Sequence, residues 1–109
     1  MIGMRLYLAQ RISALVMAPL VIGHIAVMIY AVQNGLSASE ILSRTQGSLW
    51  WGAFYGLFVA AVSIHAAIGV RAIIYETLQT PVRWLNPLTW AIGLSLLLLG
   101  GRAVAAVVL

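Results

Sequence analysis

The stretch Ile12–Gln33 reads ISALVMAPLVIGHIAVMIYAVQ and carries no formal charge. About 20 residues of this kind, wound as a helix, cross the roughly 30 Å of bilayer hydrocarbon. The stretch is therefore predicted to span a membrane. The charge-free interval around it is wider still, opening after Arg11 and closing at Glu40. Its apolar part is too long for the core of a secretory signal and lacks a small-residue cleavage site, so this first helix is expected to stay in the product.

On its C-terminal side lies Asn34-Gly-Leu-Ser-Ala-Ser-Glu40, polar and helix-weak, and Gly47-Ser48 closes the connection. A second charge-free run, Thr45 to Val70, opens on Trp50-Trp51, the amphipathic ring pair expected where a span meets the headgroups. This predicts helix two over about residues 49–74. Pro81, Asn86 and Pro87, with Trp84 and Trp90 beside them, mark a short link, and the apolar run over about residues 87–109 is predicted as helix three. Small residues in helix two, among them Gly52, Gly56, Ala60, Ser63 and Ala67, invite close approach of another helix or a flat cofactor. The whole of 1–109 is expected to form one membrane domain, with no internal repeat.

Composition supports this. The chain has 109 residues, 63% hydrophobic and 7% charged, whereas a soluble domain carries about 25% charged residues. A chain this short cannot bury so much apolar surface by folding alone. All six cationic residues are arginines, and they are scattered rather than clustered, which favours topology signals over nucleic-acid binding. Arg5, Arg11, Arg71 and Arg83 fall on one side of the predicted spans and Arg44 and Arg102 on the other, with Arg102 near enough to the end of helix three to snorkel outward. The positive-inside rule then places the N-terminus in the cytoplasm. The absence of cysteine excludes disulfide frameworks, thiolate zinc sites, iron–sulfur ligation and thiol nucleophiles.

Two histidines remain as carriers of chemistry, His24 in helix one and His65 in helix two. An ionisable side chain at membrane depth is a functional candidate, because an unpaired polar group in hydrocarbon costs several kcal/mol. Two readings are open for each: a neutral imidazole hydrogen-bonded to a neighbouring helix, or an axial ligand of haem iron. His24 lies 13 residues from Arg11, and His65 lies 6 from Arg71. At 1.5 Å per residue their depths are roughly 20 Å and 9 Å, so they are expected to serve different sites unless the helices tilt strongly. Gly69 follows His65 by one turn and leaves room for a macrocycle, and Arg71 is placed to bind a haem propionate.

The pattern His65-x-x-x-Gly69-x-Arg71, followed five residues on by Glu76, resembles the second-helix signature of the cytochrome b membrane-anchor subunits of succinate:quinone oxidoreductase, or complex II, and fumarate reductase. The run Gln10-Arg11-Ile12-Ser13-Ala14 is similar to the Arg-x-Ser-Gly-like segment that opens helix one in that family. The resemblance implies an all-α membrane protein of three transmembrane helices with a cytoplasmic N-terminus, forming part of a larger heteromeric bundle. It implies haem b, one or two, shared with a second membrane-anchor subunit, and His65 as an axial ligand of haem iron. His24 matches the di-haem branch of the family, in which helix one also gives a ligand. It implies a quinone head group near Arg11 and Ser13. Two departures stand out: Tyr7 occupies the place, four residues before Arg11, where the family often has Ser, and Ala72 follows Arg71 where His is frequent.

The implied role is to dock the flavoprotein and iron–sulfur subunits and to pass electrons between iron–sulfur clusters and membrane quinone in the tricarboxylic acid cycle. The implied location is the bacterial inner (cytoplasmic) membrane. No residue of this chain is expected to be catalytic, the redox chemistry belonging to the cofactors, and neither flavin nor iron–sulfur cluster is expected to be ligated here, since the chain holds no cysteine and no dinucleotide-binding glycine pattern. The alternatives are a fumarate reductase anchor running in reverse and a haem-free structural membrane subunit. A small cation or multidrug transporter would need an acid inside a span, and Glu40 and Glu76 are expected outside.

Overall fold

A computed structural model of the chain describes residues 3–109. Four helices follow one another: α1 (Met4–Asn34), α2 (Ala38–Thr45), α3 (Leu49–Leu78) and α4 (Val82–Val108). No strand occurs among the described residues. Three of the helices, α1, α3 and α4, are long and apolar enough to cross a membrane. The molecule is 48 Å long and 22 Å in each other direction. That length exceeds the roughly 40–45 Å of a bilayer with its headgroups.

Each span is longer than the sequence suggests. Helix α1 starts at Met4 rather than near Ile12, so Arg5 and Arg11 both lie on the helix. Helix α3 continues to Leu78 and takes exposed Glu76 into its last turn. Helix α4 starts at Val82 and carries Pro87 inside it. Charge and proline ended the predicted spans, but neither ends a helix that leaves the hydrocarbon and continues into the headgroup layer, where water and headgroups meet side chains.

The second difference is α2, which lies where a helix-weak connection was expected. Ser37 forms a capping box: its hydroxyl accepts from Glu40 N–H, while the Glu40 carboxylate accepts from Ser37 N–H at 3.0 Å and from Ser37 Oγ at 2.7 Å. Gly35 has φ of 127°, and a Cβ there would run into the Glu40 carboxylate. Arg44 donates to Gly35 O at 2.9 Å and closes the connection on itself.

The last residue of α2 and the two that follow it cap the end of α4. Thr45 Oγ1 donates to Val107 O at 2.6 Å, Gly47 N–H to Val108 O at 2.7 Å, and Gln46 Nε2 to Leu109 O at 3.3 Å. The last carbonyls of a helix have no partner within it. Here the connector of the same chain supplies one.

Helix α3 is the middle element and packs on both α1 and α4. Its seam with α4 is built from small residues. A Cβ on Gly93 would stand 3.4 Å from Ala67 Cβ, one on Gly52 would stand 3.3 Å from Val108 Cγ1, and one on Gly100 would stand 2.5 Å from Val59 Cγ1. Part of the small-residue stripe of α3 is therefore used within the chain, while a Cβ on Gly56 would meet nothing. Close approach through small residues gives van der Waals contact where lipid removes the hydrophobic drive between helices.

The buried apolar side chains are few: Ala61, Ala67, Ile68 and Leu85. Large side chains such as Leu15, Ile22, Trp50, Leu98 and Leu99 stay exposed. These faces meet lipid or other chains. The tight Gly100–Val59 contact makes a prediction. Gly100→Ala should destabilise the chain by about 1–3 kcal/mol through overpacking, and Val59→Ala in the same chain should restore most of that. Thermal unfolding in detergent reads both.

Candidate functional site

His65 faces α1. Its Nδ1 lies 3.3 Å from Ser13 Oγ, and Ser13 is only 5% exposed. The Ser13 hydroxyl also donates to the Gln10 carbonyl at 2.9 Å, the back-bond a serine makes within its own helix. Gly69, one turn beyond His65, lies under the Gln10 side chain: a Cβ there would meet Gln10 Nε2 at 3.5 Å. The Gln10 Oε1 is buried without a hydrogen-bond partner among the described residues. A buried amide oxygen left unpaired costs about 1–3 kcal/mol. The Gln10 oxygen is thus an acceptor for which no described residue supplies a donor.

Arg71 points elsewhere. Its Nη1 donates to Asn86 Oδ1 at 2.8 Å and to Thr89 Oγ1 at 3.1 Å, both on α4, and Thr89 Oγ1 in turn donates to Leu85 O at 2.6 Å. Six residues along a helix amount to about a third of a turn of rotation from His65. Arg71 thus lines a cleft of about 370 Å³ between α3 and α4, together with Ser63, Ala67, Asn86, Thr89 and Trp90.

Arg11 and Tyr7 share the outer face of α1. The Arg11 guanidinium lies 6.0 Å from the Tyr7 ring centroid, at the limit of a cation–π contact. Both residues are exposed, and Arg11 pairs with no carboxylate among the described residues.

His24 is half-buried among aromatic rings of α3, its centroid 6.2 Å from Tyr55 in an edge arrangement and 5.3 Å from Phe58. It makes no hydrogen bond among the described residues. It opens onto a cleft of about 560 Å³ lined also by Val27, Tyr30, Arg44, Trp51 and Tyr55. Helix α2 supplies part of this wall through Ile41 and Arg44, and the Arg44 guanidinium lies 5.4 Å from the Tyr30 ring centroid. Tyr55 and Phe58 precede His65 by ten and seven residues. Along α3 that is roughly 10–15 Å, so the two imidazoles are separated in depth within the chain.

The family model of the succinate dehydrogenase/fumarate reductase transmembrane subunit matches residues 1–101. The chain belongs to that family. Comparisons with curated proteins and with solved structures give no match. For this transmembrane subunit, the fold joins some of the residues singled out in its sequence and parts others. Ser13, His65 and Gly69 come together at the α1–α3 junction. Tyr7 and Arg11 stand together but on the exposed face, away from Ser13, because a step of two residues turns about 200° round a helix. Arg71 faces α4, and His24 sits apart with its aromatic rings.

Gln10, Asn86 and Thr89 were not among the sequence candidates. Gln10 carried a usable signal, since it stands one turn before Ser13 and beside Arg11. Asn86 was masked by Pro87, which marked it as a link residue. Nothing in the spacing alone pairs it with Arg71.

Helix α2, which supplies part of the wall of the His24 cleft, is capped through Glu40. Hydrogen bonds from the Ser37 side chain, then from the Ser37 backbone, hold the Glu40 carboxyl below the ordinary carboxylate range, and Arg44 adds to this. A carboxyl depressed by folding stabilises α2 above its unfolded pKa, and that contribution fades as pH falls through the folded pKa. Ser37→Ala should raise the Glu40 pKa toward the ordinary value, which a carboxyl-carbon NMR titration reads directly. An unchanged titration would mean that the capping box is not formed.

Proposed function

We propose that this transmembrane subunit is the haem b-binding anchor of a succinate dehydrogenase in the bacterial inner membrane. In this role it docks the iron–sulfur and flavoprotein subunits on the cytoplasmic side and carries electrons between their clusters and membrane quinone. Family membership and one feature of the site support the reading: an imidazole in a membrane-spanning helix with Gly69 one turn beyond it. These residues fit a haem. His65 would hold the iron, and a second membrane-anchor subunit would share in holding the group. Haem b, when bound, supplies a one-electron redox centre.

His24 is read as the ligand of a second haem. Its depth differs from that of His65, it makes no hydrogen bond among the described residues, and the cleft beside it has apolar and aromatic walls. Arg11 is read as the quinone contact. An exposed guanidinium at the end of the span can donate to a quinone carbonyl and to the negative charge that develops there. Ser13 lies inside the junction rather than beside Arg11, so its part concerns His65.

The haem assignment is tested by haem content per flavin in the purified complex. His65→Ala should abolish the haem site nearer the cytoplasm, and His24→Ala should remove about half of the total haem and leave that site spectroscopically intact. Full, unshifted haem absorbance in His65→Ala would overturn the assignment. An unchanged haem-to-flavin ratio in His24→Ala would leave His65 as the chain's one iron ligand.

The quinone assignment gives a separate prediction. Arg11→Ala should lower quinone reduction about 100-fold or more, the scale of losing one donor to developing charge, while transfer to an artificial acceptor drawing on the iron–sulfur subunit stays near normal. Arg11→Lys should recover little, because an ammonium lacks the planar fork. Equal loss in both assays would point to a docking defect.

A further inference from the structure

We infer that Ser13 is the positioning residue for His65, fixing which imidazole nitrogen is free to bind iron. The inference rests on the haem reading above and adds to it the identity of the donor atom and the residue that selects it.

A serine hydroxyl has one proton and can donate once. In α1 that proton goes to the Gln10 carbonyl at 2.9 Å. The contact of 3.3 Å to His65 Nδ1 is satisfied at the same time only if Ser13 Oγ accepts there, so Nδ1 must carry hydrogen. A neutral imidazole with hydrogen on Nδ1 has its lone pair on Nε2. Nε2 is then the metal donor. Ser13 is 5% exposed, so water does not compete for this contact from within the chain, and the alternative tautomer would leave Nδ1 and the hydroxyl oxygen facing each other without a proton unless the back-bond broke. The hydroxyl thus acts in two steps of a relay: the α1 backbone sets the hydroxyl, and the hydroxyl sets the ring.

A partner on the far nitrogen of a metal-ligating imidazole also raises the basicity of the ligating nitrogen and fixes the ring plane. A more basic ligand favours ferric over ferrous iron. Removing the Ser13 hydroxyl should therefore weaken haem binding and raise the haem reduction potential.

The test uses the assembled complex and compares Ser13→Ala, Ser13→Thr and Ser13→Cys with the parent, reading haem content and the potential from a spectroelectrochemical titration. Ser13→Ala is expected to bind haem about 10- to 100-fold more weakly, the usual cost of an outer-shell partner, and to shift the potential of the haem that remains upward. Ser13→Thr keeps a hydroxyl that makes the same back-bond and should hold the parent potential. Ser13→Cys keeps the bulk but is a weak acceptor and should shift as alanine does, which serves if the alanine variant does not assemble. An unshifted potential in both the alanine and cysteine variants overturns the inference, as does a threonine variant that shifts equally. Full haem content in His65→Ala would defeat the haem reading itself, whereas loss of haem there with an unmoved potential in the Ser13 variants would defeat only the role of Ser13.

Discussion

An imidazole at membrane depth can find a hydrogen bond only on the protein or on a group bound to it, because hydrocarbon offers none. In this subunit His65 finds it on Ser13, across the junction of α1 and α3. That contact exists only in the present register of the two helices, since sliding one past the other by a turn would move Ser13 about 5.4 Å from its partner and leave two polar groups bare. The rest of the junction follows from this register. Gln10 is brought over Gly69, and His24 is carried along α1 to the level of Tyr55 and Phe58.

The other side of α3 is fixed by different means. Small residues let α4 approach closely at Gly93 and Gly100, and Arg71 joins Asn86 and Thr89 at one end of the seam. The end of α2 and the connector after it close the other end by capping the carbonyls of α4. Polar contacts thus sit at both ends of the seam, with close-packed small residues between them. Outside this framework the subunit exposes apolar side chains on most faces, as suits a chain that meets lipid and further subunits.

The three spans were legible because charge-free runs of this length have few other uses, and the aromatic residues at their ends reinforced the pattern. The depth separation of His24 and His65 was also legible, since rise per residue is constant along a helix. Helix α2 was not foreseen, although Ser37-x-x-Glu40 carried the spacing of a capping box, because its polar composition outweighed that signal. Helix ends were misplaced for a related reason: Pro87 and the arginines interrupt the apolar runs without stopping the winding of the backbone. Rotation about the helix axis was the least legible quantity. Membership of one motif suggested that His65 and Arg71 act on one side, and likewise Arg11 and Ser13, yet each pair divides between two faces. Family membership implies association with the other subunits of a succinate dehydrogenase or fumarate reductase complex.

The central claim is that this subunit holds haem in its complex. The most direct measurement is a reduced-minus-oxidised visible spectrum of the isolated parent complex, with flavin quantified on the same sample. The account predicts b-type haem bands and at least one haem per flavin. A complex with its flavin and iron–sulfur clusters intact and no haem bands would contradict it.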